Sequence, residues 1–237
     1  MANFLLKKSY QIDNFKILKF EDLWGSYGVF TTIRLIGKPG KLILFKSHFN
    51  GLIKSLKKYK IYYKNLEKVL RQSINSNISK NFKYDHLLRV ALTKKIISIS
   101  IRKRTKPQKN FELKIIKYKR VDPKTKNLYY KKILKELNKH NSTTTDIALV
   151  YKGKILETCT SNILFFRNKK YFTPKNNCYI GNTINYLKSK IKITFKDIYY
   201  KDVNKFDEIM LIGSGKGVTP VKYIKEINWK SKNDFGY

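Results

Sequence analysis

Carboxylates are scarce in this chain: 16 Asp and Glu stand against 52 Lys and Arg among 237 residues, a formal charge of +36. Cysteine is nearly absent, with only Cys159 and Cys178. Two cysteines exclude a disulfide framework and a paired Cys-x-x-Cys metal site, and they fit a reducing cytoplasm. The three histidines, His48, His86 and His140, are far apart and show no H-x-x-x-H spacing, so no metal site is expected. Long apolar runs are missing too. None reaches the roughly 18 residues needed to cross a bilayer, and the apolar stretch after Met1 ends at Lys7, too short for the core of a signal peptide. There is no G-x-S-x-G nucleophile elbow, and "GSGKG" (213–217) lacks the Gly-Lys-Ser/Thr ending of a P-loop. The chain reads as a soluble, cytoplasmic protein with no membrane partner.

Arginine is also rare. Seven arginines (34, 71, 89, 102, 104, 120 and 167) accompany the lysines, whereas phosphate and base-edge recognition favours the planar guanidinium fork. The lysines run through every segment instead of forming one tail or stripe. The positive charge therefore reads as a solvated surface property, and nucleic acid is not an expected partner.

What is present is alternating hydrophobicity. "YGVFTTIRL" (27–35) and "KLILF" (41–45) flank the turn residues "GKPG", which predicts a hairpin. Phe49, Leu52, Ile53 and Leu56 recur at helical spacing, and a second helix is expected over 65–74. Residues 86–119 read as two or three strands. "VDPKTK" (121–126) then breaks the pattern, so a small N-terminal domain is placed at 1–120, a linker at 121–126 and a larger domain at 127–237. The second half predicts a helix over 127–140, strand pairs over 146–157 and 162–174, a helix near 183–191, and strands near 193–200, 208–213 and 218–227.

Against the shortage of acids, "LETCTSNILFF" (156–166) closes an apolar strand with a carboxylate, Glu157. Lys124 follows the linker, and small hydroxyl-rich turns occur at "IGNT" (180–183) and "IGSG" (212–215). An amine, a carboxylate and an anion cradle are, as a set, what pyridoxal phosphate requires.

The order of K-T-x-N (124–127), "GKILETCTSNILFF" (153–166), "KKYFTP" (169–174), "IGNT" (180–183) and "DEIMLIGSGKGVTPV" (207–221) resembles the class IV, fold-type IV pyridoxal-phosphate enzymes. That family includes branched-chain and D-amino acid aminotransferases and aminodeoxychorismate lyase. "GVFTTIR" (28–34) and "SHFNGLIKS" (47–55) stand where the family has its G-D-G-x-F strand and H-x-x-R-L helix, so the resemblance spans residues 24–221. It implies a two-domain α/β (α+β) fold of the D-amino acid aminotransferase type, a homodimer, and pyridoxal 5'-phosphate held between domains.

It further implies that Lys124 attaches the cofactor and serves as general base. Glu157 would face the pyridine nitrogen, and Asn182, Thr183, Ser214 and Gly215 would hold the phosphate. Thr31, Thr32 and Arg34 become substrate candidates. The chain departs from the pattern at Gly51, where the family has its phosphate-binding arginine, at Tyr27 in place of an aspartate, and at Ile184 in place of an arginine. Lys54 and Arg34 are candidate substitutes for the missing cation. Phe30-Thr31-Thr32 followed by Arg, together with Glu157, Cys159 and Asn162, is similar to aminodeoxychorismate lyase, which forms 4-aminobenzoate and pyruvate for folate synthesis. The run from Lys124 to Leu128 with Tyr130 is similar to D-amino acid aminotransferases, which makes an amino-acid aminotransferase the alternative. A polyanion-binding relative with a decayed phosphate site is the second alternative.

Overall fold

The computed structural model describes residues 4–62 and 65–232. Its contacts divide the chain into two units. The first runs to Arg104 and takes in Thr125–Lys131, and the second comprises Thr105–Lys124 and the chain from Lys132 onward.

In the first unit β1 (Phe4–Gln11), β2 (Ile17–Leu18), β3 (Val29–Gly37), β4 (Lys41–Leu42), β5 (Tyr84–Leu92) and β6 (Ile96–Lys103) form an antiparallel sheet in the order 2-1-6-5-3-4. Side chains alternate across a strand, so Val29, Ile33 and Leu35 share one face with Leu88, Val90, Ile97 and Ile99. Two helices, α1 (Phe45–Lys58) and α2 (Leu66–Ser76), cover that face with Phe49, Leu52, Leu56, Leu70 and Ile74. These residues recur at three- and four-residue intervals, the stripe an amphipathic helix needs. The hairpin expected over 41–45 is shorter than the sequence predicts. Strand pairing with β3 covers Lys41–Leu42, with one further bond from Ile43 N–H to the Arg34 carbonyl (2.9 Å), because Leu44 adopts a left-handed conformation (φ 53°) and Phe45 begins α1. Strand β1 carries no sequence prediction.

The second unit has two sheets. One is six-stranded, with β7 (Glu112–Lys117), β8 (Thr145–Tyr151), β9 (Lys154–Thr158), β13 (Ile198–Tyr199), β16 (Tyr223–Ile224) and β17 (Trp229–Lys230) in the order 13-9-8-7-16-17. The other is five-stranded, with β10 (Asn162–Arg167), β11 (Lys170–Pro174), β12 (Ile193–Lys196), β14 (Glu208–Gly213) and β15 (Gly217–Pro220) in the order 12-11-10-14-15. Ala148, Val150 and Ile155 from the first sheet meet Ile163, Phe165, Ile209 and Leu211 from the second in one buried cluster. Helices α3 (Lys131–Leu137) and α4 (Asn182–Lys188) complete the unit.

The division differs from the expected boundary at residue 120. Strand β7 pairs in parallel with β8 from Glu112 to Lys117, which commits it to the second unit. Residues 125–131 return to the first unit through backbone bonds from Phe30 N–H to the Lys126 carbonyl (2.9 Å) and from Leu128 N–H to the Gly28 carbonyl (3.0 Å). That bridge keeps Asn127 and Leu128 extended, so the helix predicted from residue 127 starts at Lys131. Leu88 is fully buried between sheet and helices. Leu88→Ala is expected to lower stability by about 2–5 kcal/mol through lost burial and the cavity left behind, read from the urea midpoint; a loss below about 1 kcal/mol would contradict this packing.

Candidate functional site

Glu157 owes its direction to one extra residue. Tyr151 pairs with Lys154 and Val150 with Ile155, but Ala148 pairs with Thr158, so Leu156 and Glu157 together oppose Leu149. Strict alternation would send Glu157 into the core with Ile155; the bulge re-aims it. Its Oε1 accepts the Arg120 Nε–H at 2.8 Å, with the two side chains 1% and 7% exposed, and its Oε2 accepts the Tyr179 N–H at 3.3 Å. Arg120 Nη2 donates onward to the Pro123 carbonyl at 2.7 Å. The pair thus ties the Glu157 carboxylate to the backbone immediately before Lys124.

Lys124 is exposed and lines a cavity of about 330 Å³ with Tyr151, Lys152, Lys154, Leu156, Asn176 and Asn177. The sequence reading missed Arg120. The available signal was an arginine four residues ahead of Lys124 in a chain with seven.

The proposed phosphate residues fall on two turns. Asn182 and Thr183 open α4 after Gly181, and the first intrahelical bond runs from Asn185 N–H to the Gly181 carbonyl, so the N–H groups of Asn182 and Thr183 precede it. Ser214 and Gly215 lie in the three-residue turn joining β14 to β15, closed by the Gly213–Gly217 pair. Both turns rest on the segment after β9. Asn162 Nδ2 donates to the Tyr179 carbonyl (2.6 Å) while its Oδ1 accepts the Gly181 N–H (2.9 Å). A Cβ at Gly181 would lie 2.9 Å from Asn162 Oδ1, and one at Gly213 would lie 3.1 Å from Ser161 Oγ, so both turns pack closely against the 161–162 side chains. Ile184 is fully buried in an apolar cluster with Leu164, Ile193 and Ile212.

The structure separates the substrate candidates. Thr31 lies on the helix-facing side of β3, buried, with its Oγ1 2.9 Å from His48 Nδ1. Thr32 and Arg34 lie on the opposite face. Arg34 pairs with Asp85, so it is not an uncommitted substitute for the missing phosphate arginine, and Lys54 is exposed on α1.

Cross-strand register adds two arginines to the Thr32 face: Arg89 faces Thr32, while Arg102 and Arg34 both face Leu87. Arg89 lies 3.7 Å from the centre of the Trp24 ring and donates to the Asp22 carbonyl (2.6 Å), yet its buried Nε has no hydrogen-bond partner. Burial, with Arg102 nearby, lowers its pKa to about 9 despite Asp22. Burial also lowers that of Arg102. Such a face favours an anion. Sequence spacing hides it, since the three residues come from different strands.

The donor set matches pyridoxal 5'-phosphate chemically: an exposed amine at Lys124, a buried and oriented carboxylate at Glu157, and two glycine turns presenting N–H and hydroxyl groups. Among the described residues no three His, Cys, Asp or Glu side chains converge as a metal site, and no helix is long and apolar enough to cross a membrane.

A profile of the amino-transferase class IV family matches residues 28–224. An uncharacterized Haemophilus influenzae protein is 29% identical over 73 residues, which is 31% of this chain and spans only 39% of that relative's length. Among solved structures, the branched-chain aminotransferase of Thermoproteus uzoniensis with norvaline is 17% identical with a TM-score of 0.77, covering 97% of this chain and 90% of that one. A Legionella pneumophila protein, provisionally named a 4-amino-4-deoxychorismate lyase, is also 17% identical, with a TM-score of 0.71 over 87% of this chain and 86% of that one. At such identities the likeness is one of fold.

Burial, and then the nearby Lys126, lower the His48 pKa from 6.5 to about 4. Above pH 6.5 both folded and unfolded states hold a neutral imidazole. Between pH 6.5 and 4 only the unfolded state takes up the proton, so stability should fall with decreasing pH by roughly 3 kcal/mol. His48→Gln, which keeps a partner for Thr31, should flatten that part of a urea-stability profile; an unchanged slope would contradict a neutral, buried His48.

Proposed function

Because the chain belongs to the amino-transferase class IV family and has its fold, we propose that it is a pyridoxal 5'-phosphate-dependent lyase converting 4-amino-4-deoxychorismate to 4-aminobenzoate and pyruvate. The buried Arg120–Glu157 pair, anchored on the Pro123 carbonyl beside Lys124, carries this reading. An isolated carboxylate would resist burial, whereas one held by a guanidinium stays ionised and oriented. When bound, the cofactor supplies a sink for the electrons released at the substrate's amine-bearing carbon.

The chain's own groups then have separate tasks. Lys124 Nζ would attach the cofactor, and as general base would take the proton from the amine-bearing ring carbon and return it to the departing three-carbon fragment. Glu157 would hold a carboxylate for the pyridine nitrogen, while Asn182, Thr183, Ser214 and Gly215 would supply donors for the phosphate. Loss of the ring proton and cleavage of the neighbouring C–O bond release enolpyruvate, which becomes pyruvate as the ring becomes aromatic. Atoms balance without water, oxidant or amino acceptor. The Phe30-Thr31-Thr32 run, similar to that of the lyase, favours this substrate over an amino acid.

With 4-amino-4-deoxychorismate and no 2-oxo acid present, the protein should release 4-aminobenzoate and pyruvate in equal amounts. Lys124→Ala should slow release by about 10²–10⁴-fold. Turnover that requires a 2-oxo acid would make the protein an aminotransferase instead. No turnover, combined with steeply salt-dependent binding of nucleic acid, would support the polyanion-binding alternative.

A further inference from the structure

Asp146, at the start of β8, is fully buried and has no part in the roles assigned above. Its Oδ1 accepts the Ile147 N–H at 2.8 Å. Its Oδ2 accepts the hydroxyls of Thr158 (2.8 Å) and Thr160 (2.6 Å), and Lys216 Nζ lies 3.7 Å away. Thr158 Oγ1 accepts the N–H groups of Ser161 (2.8 Å) and Thr160 (3.2 Å), and its single proton has a shorter path to Asp146 than to the Ser161 carbonyl at 3.1 Å. The carboxylate therefore fixes the 158–161 turn from within.

Three contacts lead outward from this turn. Asn162 grips the Tyr179 carbonyl and the Gly181 N–H, Ser161 Oγ sits against Gly213, and Lys216 belongs to the second glycine turn. We propose that Asp146 is a positioning residue that holds the glycine turns 180–183 and 213–217 at the separation at which their donors serve one phosphate group. This inference rests on the cofactor reading above.

The physical reason lies in what the chain lacks. With Gly51 in place of an arginine, phosphate binding depends more on backbone and hydroxyl dipoles, and these hold an anion well only when fixed in advance. A buried carboxylate close to an anion site would ordinarily repel the ligand. Lys216, 11% exposed and set beside Asp146, offsets that charge.

The test is titration of the protein with pyridoxal 5'-phosphate and with pyridoxal, which lacks the phosphate, followed by absorbance. Asp146→Asn should weaken pyridoxal 5'-phosphate by about tenfold, the scale of one charge-assisted hydrogen bond, and leave pyridoxal within about twofold. Thr160→Val, which removes one hydroxyl at nearly constant volume, should lower the phosphate preference in the same direction and decides the matter if Asp146→Asn does not fold. An unchanged ratio of the two affinities, whether both weaken or neither does, overturns the positioning role alone. A wild-type protein that takes up no pyridoxal 5'-phosphate overturns the cofactor reading and this inference together.

Discussion

The buried ion pair between Arg120 and Glu157 is the constraint around which the second unit's site is organised. Removing two charges from water is costly, and such a pair persists only when its remaining polar atoms are satisfied. Here Arg120 also reaches the Pro123 carbonyl and Glu157 also accepts from Tyr179. One interaction therefore connects three separate stretches: the segment before Lys124, the bulged end of β9, and the approach to α4. In a chain with 16 acids, placing one in a nearly dry environment with a matched guanidinium is a local chemical requirement that the general composition does not account for.

Much of this was legible beforehand, for physical reasons. Apolar, β-branched runs bounded by turn residues marked β3, β8 and β10, and three- and four-residue spacing marked α1 and α2, whose apolar stripes cover a core. Glu157 and the two glycine turns were visible as exceptions to that patterning. What failed was whatever depends on partners distant in sequence. The contact division departs from a boundary at residue 120 because β7 is defined by its parallel pairing with β8, about 30 residues later in the register. The helix expected at residue 127 was shortened by a backbone bridge to β3.

The candidate residues show the same division. Thr31 and Thr32 are adjacent in sequence and looked interchangeable, yet strand geometry puts one against His48 in the core and the other beside Arg89. Arg89, Arg102 and Arg120 carried no motif. Their significance comes from burial and from the partners that the fold provides, including an unpartnered Nε on Arg89. The lysines behave differently. Lys139, Lys205 and Lys232 form pairs with Glu136, Asp202 and Asp207 at the surface, where screening and side-chain entropy leave little net stabilisation. The large formal charge and the chemically active cations are thus mostly different residues.

The central claim is that Lys124, beside the Arg120–Glu157 pair, is the attachment point for pyridoxal 5'-phosphate. The most direct measurement is borohydride reduction of the protein after incubation with the cofactor, followed by peptide mass mapping. A single pyridoxyl group on the peptide containing Lys124 is expected, with labelling reduced in Glu157→Gln. A label spread over surface lysines, or concentrated on any residue other than Lys124, would contradict it.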